Sequence, residues 1–346
     1  MNEEERSSRT APAQGAARYE GGAAQHLPGR GATMGPYARA WRRFKQNRRG
    51  YYSLWIFVIL FGLSLFAEGL SNDKPLVVHY QGHYYFPIAK SYPETTFGGQ
   101  FDTEADYLDP YVKRKITAGN NWALYPLNPY SYNTINYYSR QPNPAPPSEA
   151  NILGTDDRGR DVLARLIYGF RLSVIFSLVL TAIGTLIGMI AGAVQGYFGG
   201  RIDLFAQRFI EVWGSMPELY LLIIFASIFN PSIALLIVLL SLFGWMGLAD
   251  YVRAEFLRGR NMDYVTAARA LGVSNRSIMV RHLMPNAMTP VITFLPFRIS
   301  GSILALTSLD FLGLGVPPTT PSLGELLAQG KDNIEAWWLS ITTFVV

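Results

Sequence analysis

Residues 172–194 read LSVIFSLVLTAIGTLIGMIAGAV, an uncharged run of 23 residues. At about 1.5 Å of rise per residue, a helix of that length crosses a hydrocarbon core of about 30 Å. Gly184, Gly188 and Gly192 fall at every fourth position, a spacing that lets helix backbones approach closely in lipid. Chance glycine in an apolar helix is the competing reading. Working outward, further apolar runs cover Tyr52–Ala67, Phe205–Phe229 with Pro217 inside it, Ile233–Leu248 and Pro290–Leu314, and a last one begins near Trp337. The pattern predicts an all-α polytopic membrane protein with six transmembrane helices. Composition agrees: of 346 residues 49% are hydrophobic and 16% charged, against about 25% charged in soluble domains. Absence of cysteine excludes a disulfide framework, an iron–sulfur site, a thiolate-bound zinc and a cysteine nucleophile.

Charge sets the sidedness. The net charge is +5, and the basic residues cluster beside the apolar runs. Arg39, Arg42, Arg43, Lys45, Arg48 and Arg49 precede the first run, which places the N-terminus in the cytoplasm. A nucleic-acid arm is the alternative use of such a cluster, and the adjacent apolar span speaks against it. Residues 1–36, rich in Ala, Gly, Arg and Ser, read as a disordered tail. Residues 37–70 form the basic segment and first span. Residues 71–150 turn polar and tyrosine-rich and read as an extracytoplasmic insertion of strands and loops, with Val77–Phe86 the best strand and Pro142–Ser148 a stiff connector. The core of spans then occupies 151–346. Four spans after the cytoplasmic start, loop 250–286 carries six arginines, Arg253, Arg258, Arg260, Arg269, Arg276 and Arg281, and returns to the cytoplasm. The sixth run stops at Val346 after about ten apolar residues, about 15 Å of helix. Bare carbonyls in hydrocarbon are costly, so the natural chain is expected to continue past Val346, a re-entrant end being the alternative.

Catalytic signatures are missing from the sequence. Gly324–Asp332, GELLAQGKD, has five residues between its glycines and Asp332 where a P-loop needs Ser or Thr. His26, His79, His83 and His282 are dispersed. The four-residue spacing of His79 and His83 would suit a metal only on a helix, and the local pattern is a strand. The informative stretch is Asp263–Pro285, DYVTAARALGVSNRSIMVRHLMP. Its alanine-faced first helix ends at Gly272, a turn residue. Ser274 then caps a second helix expected to end before Pro285. Such an elbow is a docking knob, with nothing catalytic in it.

This stretch resembles the EAA loop of ABC-importer permeases, in which two small residues are followed by Gly four later and Pro thirteen after that. Thr266, Ala267, Ala268, Gly272 and Pro285 hold those positions. Thr266, usually acidic in the family, and His282 and Met284, usually Ile and Leu, depart from its pattern. Leu153–Arg171, LGTDDRGRDVLARLIYGFR, and Ser308–Leu326, SLDFLGLGVPPTTPSLGEL, resemble blocks of dipeptide, oligopeptide and nickel permeases. The large insertion and the first span are most similar to the Yej-type microcin C and oligopeptide uptake permeases. The resemblance implies that Thr266, Ala267, Ala268, Arg269, Gly272 and Pro285 couple this chain to an ATPase subunit. It also implies two ATPase domains that bind ATP and magnesium, a second homologous permease, and a periplasmic peptide-binding protein. No cofactor in this chain, no metal, and no nucleic acid are expected.

Charges at membrane depth complete the candidates. Arg208 and Glu211 are three apart and either pair on a helix face or line the pathway. Arg298 lies inside the fifth span, where ionisable groups face a cavity or a partner, or snorkel to an interface. Asp310 either attracts a peptide amino terminus or is solvated at the interface. The resulting reading is a permease subunit translocating oligopeptides across the cytoplasmic membrane, without an ATPase site of its own. Its rivals are a dipeptide or nickel permease and, remotely, an intramembrane enzyme using Glu211 or Asp310.

Overall fold

The computed structural model describes residues 41–346 apart from 43, 138, 140 and 231. The tail expected over 1–36 lies outside the described residues. The chain divides into two units, Met1–Trp55 and Ile56–Val346. Described residues of the first unit gather aromatic rings: Trp41 stacks on Phe44 at 5.7 Å, and Tyr51 meets both rings edge-on. Helix α1, Arg48–Leu65, carries Ile59, Leu60 and Leu63 exposed and buries only Ser64 among its described residues. It stops at Leu65, short of the expected Ala67, and Phe66 leads into a single turn, α2, Ala67–Leu70.

The insertion folds around a small core of its own. Strands β1, Val77–Tyr80, β2, His83–Tyr85, and β3, Trp122–Leu124, form an antiparallel sheet in the order β2-β1-β3. Tyr80 pairs with His83, so only Gln81 and Gly82 turn the chain, both at positive φ (52° and 81°). That is the two-residue turn whose twist matches the strands. The single strand expected over Val77–Phe86 is therefore a hairpin, bent where Gln81–Gly82 breaks the run. Helix α3, Pro110–Thr117, opens with proline after Asp109, whose carboxylate accepts from the Tyr111 amide at 2.6 Å. Val112 and Ile116 from α3 bury with Val78, Tyr80, Phe97 and Tyr107, the Phe97 ring meeting Tyr80, Tyr85 and Tyr107 edge-on.

Helix α4, Val162–Phe198, is the long central span, capped by the Asp161 carboxylate on the Ala164 amide. Helices α5, Gly200–Gly214, and α6, Glu218–Ile228, follow with a 66° bend between them, because Pro217 cannot continue a helical ladder. Helices α7, Ile233–Ser241, and α8, Met246–Gly259, make up one apolar stretch, Ile233–Gly259, with a turn inside it. Short α9, Asp263–Ala270, precedes α10, Asn275–Phe311. Helices α11, Leu323–Asp332, and α12, Trp337–Val345, end the fold.

Among the described residues three helices, α4, α7–α8 and α10, are long and apolar enough to cross a membrane, or four if the bent α5–α6 pair is one span. The expected count of six is not confirmed among the described residues by helix length and composition. Arg48 and Arg49 take up the first turn of α1, and α12 has nine residues.

The glycine stripe on α4 does what its spacing predicted. A Cβ on Gly188 would stand 2.8 Å from the Trp245 carbonyl oxygen, and one on Gly192 would stand 2.8 Å from Val252 Cβ. The backbones of α4 and α8 touch there, as small residues in lipid permit. Gly196 extends the same stripe one turn further. Apolar clusters hold the ends: Tyr197, Val252, Phe256, Ile278 and Ala287 at one, and Phe176, Leu236, Leu240, Leu306 and Leu309 at the other.

Candidate functional site

The elbow is built from caps and a few buried apolar side chains. Asp263 sits in the first turn of α9, where the helix dipole favours a negative charge. At its other end the Gly272 amide donates to the Arg269 carbonyl at 3.0 Å and the Val273 amide to the Ala268 carbonyl at 3.0 Å. This pair of bonds is a Schellman close, and it needs a residue in left-handed conformation; Gly272 has φ 78°. Ser274 then accepts from the Ser277 amide at 3.4 Å and starts α10.

That second helix does not end before Pro285. It passes through a π-helical stretch, Ile278–Leu283, into the long helix that runs to Phe311. Proline lacks the N–H for a ladder bond and its ring crowds the preceding turn; the wider π turn ahead of Pro285 lets the helix continue.

Val265 and Ala268 face inward and pack with Phe256, Ile278 and Leu283. Tyr197, near the end of α4, ties the elbow down: its hydroxyl donates to Asn275 Oδ1 at 2.7 Å, and the Arg269 guanidinium lies 5.2 Å from its ring centroid. The other face is bare. Thr266, Ala267, Arg269 and Gly272 are exposed, and Leu271 is 84% exposed. Of the six residues expected to couple, Ala268 is buried in the apolar cluster behind the helix, while exposed Pro285 lies beyond the π turn.

The four charges expected at depth lie in three places. Arg208 and Glu211 pair with each other on α5, both side chains more than half exposed. Arg298 donates from Nη2 to the Gly244 carbonyl at 2.9 Å, and its buried Nε has no hydrogen-bond partner among the described residues. Asp310 is buried, not solvated: it accepts from the Val316 amide at 2.8 Å and from the Ser322 hydroxyl. Gly315 and Gly324 stand so close that a Cβ on either would collide with Asp310.

A second constellation, absent from the expected site, joins the other end of α4. Asp156 Oδ1 accepts from the Arg160 amide at 2.8 Å and Oδ2 from Arg160 Nε at 2.6 Å. Arg160 Nη2 reaches Glu325 Oε1 at 3.2 Å, and fully buried Arg165 pairs with the other oxygen of Glu325. Arg165 also stands 3.6 Å from Asp156 and donates to the Tyr132 and Thr320 carbonyls. Asp161 takes amide donors from Asn128 at 2.7 Å and Asn151 at 2.8 Å as well as its helix cap. Burial pushes its carboxyl above the usual range, against those three hydrogen bonds. This clasp closes the insertion and α11 onto the start of α4. All four ionic members lie inside the blocks 153–171 and 308–326, so the signal was present, but pairing across 160 residues has no local trace.

Comparison with known proteins matches residues 184–346 to the binding-protein-dependent transport system inner membrane component, and residues 35–90 to the N-terminal transmembrane domain of oligopeptide transport permease C. An inner membrane ABC transporter permease protein of Escherichia coli K12 is 54% identical over 88% of this chain and 89% of its own length. The chain belongs to the permeases of binding-protein-dependent ABC transporters. A peptidoglycan transport system permease of Agrobacterium fabrum is 51% identical over 88% and 86%, and a dipeptide transport system permease of Haemophilus influenzae 34% identical over 57% and 68%. The permease is thus a multi-pass inner-membrane transport subunit without an ATPase site of its own, working with ATPase and substrate-binding partners.

Proposed function

We propose that this permease imports oligopeptides, microcin C-like peptides among them, and that α9 with Gly272 is its coupling helix. The observation that carries the reading is the exposed tip formed by Thr266, Ala267, Leu271 and Gly272, held on an elbow whose inner face, Val265 and Ala268, is buried against α8 and α10. A knob that is rigid behind and exposed in front can pass on a stroke delivered from outside. The dipeptide and oligopeptide names among the similar proteins support the substrate class. In this reading the N-terminus and elbow are cytoplasmic, as the arginine clusters favour. A second, similar permease subunit completes the pathway. ATP and magnesium bind to the ATPase domains, and the insertion 71–150 helps to dock the peptide-binding protein.

Replacing Gly272 by Asp tests the coupling role. Positive φ costs a residue with a Cβ about 1–2 kcal/mol, and a Cβ there meets nothing within 4 Å, so the fold survives and the charge projects from the tip. The expected outcome is normal membrane insertion, loss of peptide uptake and poorer ATPase co-purification, while Thr266→Glu keeps all three. Normal uptake by Gly272→Asp refutes the coupling role.

A further inference from the structure

A groove of about 350 Å³ runs between α4 and α7. Along α4 its lining passes from Arg171 to Ile175, Phe176 and Val179, and Ile233 and Ile237 of α7 complete the wall. Arg171 to Val179 is about 12 Å of helical rise, most of one leaflet of a hydrocarbon core of about 30 Å. Polarity is graded along that length. Tyr132 and Thr320 close the Arg171 end, their carbonyls held by Arg165 less than two turns earlier on α4. Toward Val179 the lining is apolar, with Ile175 and Val179 exposed. The Arg171 guanidinium lies 4.8 Å from the Tyr168 ring centroid and donates from Nη1 and Nη2 to the two Glu68 oxygens, each at 2.9 Å. A guanidinium has five N–H donors, and the others on Arg171 have no acceptor among the described residues. Both side chains stay open, Arg171 24% and Glu68 48% exposed.

An apolar wall alone is ordinary lipid-facing surface in an inner-membrane protein. A wall that ends at an open guanidinium and carboxylate fits an amphiphile with both charges in its head. Unused N–H groups of Arg171 suit phosphate oxygens, and the free lone pairs of Glu68 suit an ammonium group. An acyl chain against the wall contributes about 0.8 kcal/mol for each methylene it buries. A helix of a second subunit would cover the wall but desolvate the Arg171 donors without supplying an acceptor. We propose that this groove holds a zwitterionic phospholipid, one acyl chain between α4 and α7, its phosphate on Arg171 and its ammonium on Glu68. An exposed ion pair contributes little to stability by itself, so Arg171 can be replaced without unfolding the helices.

The test uses the whole transporter, with its ATPase subunits and binding protein, stripped of lipid in detergent. It is titrated in turn with phosphatidylethanolamine, phosphatidylglycerol and diacylglycerol, and bound molecules are counted by native mass spectrometry. Phosphatidylethanolamine should be retained by the parent complex at the lowest concentration of the three. Arg171→Gln should weaken its retention about tenfold, a factor corresponding to about 1.4 kcal/mol. The double variant Ile175→Trp, Val179→Trp, which fills the groove from exposed positions, should abolish it. Leu186→Trp, on an exposed part of α4 outside the groove, should leave it unchanged. Unaltered retention by the double tryptophan variant overturns the proposal. So does retention of phosphatidylglycerol or diacylglycerol at the level of phosphatidylethanolamine. A parent complex that retains no phospholipid has its groove covered by protein, which overturns it as well. Failure of both groove variants to assemble makes these residues structural and has the same result.

Discussion

The two ends of α4 hold their neighbours by opposite means. At the Tyr197 end, the elbow is closed by backbone bonds within a few residues, by Ser274, and by Val265 and Ala268 on a small apolar core. Its polar and charged side chains stay outside. At the Asp161 end, the clasp buries Asp156, Arg160 and Arg165 and draws Glu325 from far along the chain. Locally capped structure leaves a surface free for a partner without stranding a charge. A buried ionic joint offers no such surface, but each charge in it depends on the others, since a lone buried ion is costly. The exposed elbow and the shut clasp therefore carry their charge in different places.

This contrast has measurable consequences. Arg165→Met should be the most damaging, costing about 3–5 kcal/mol by leaving Glu325 and Asp156 poorly matched. It should appear as loss of detergent-extracted protein on heating. Adding Glu325→Leu should recover part of the loss, since coupled sites are not additive; strict additivity would break the clasp interpretation. Asp161→Ala should cost somewhat less, about 2–3 kcal/mol, by removing a helix cap and stranding the amides of Asn128 and Asn151. On the elbow, Ser274→Ala should lose about 1 kcal/mol, read as a smaller fall in melting temperature than either clasp variant. Leu271→Ala should change stability least, within about 0.5 kcal/mol, yet weaken ATPase co-purification. A Leu271 variant that melts early but binds its ATPase normally would reverse the assignment of the two ends.

Much of this was legible in residue spacing. Gly184, Gly188 and Gly192 announced the close approach of α4 to another helix, because a four-residue period is a purely local geometric fact. Gly272 and Ser274 announced the elbow for the same reason, each acting on backbone groups a few positions away. The basic clusters, the Pro217 break and the permease blocks were also plain in the sequence. Other features depended on distance in space. The continuation of α10 through Pro285 required a π turn that no propensity signals. Asp310 looked like an interfacial carboxylate until Ser322 and the Val316 amide folded over it. Arg165 and Glu325 stood in recognised blocks without any sign that they meet. Periodicity and capping act over one or two helical turns and can be read along the chain. Which buried charge finds which partner, and where α4 and α7 leave a groove beside Arg171, is decided only when distant segments pack, because desolvation and pairing are properties of the packed neighbourhood.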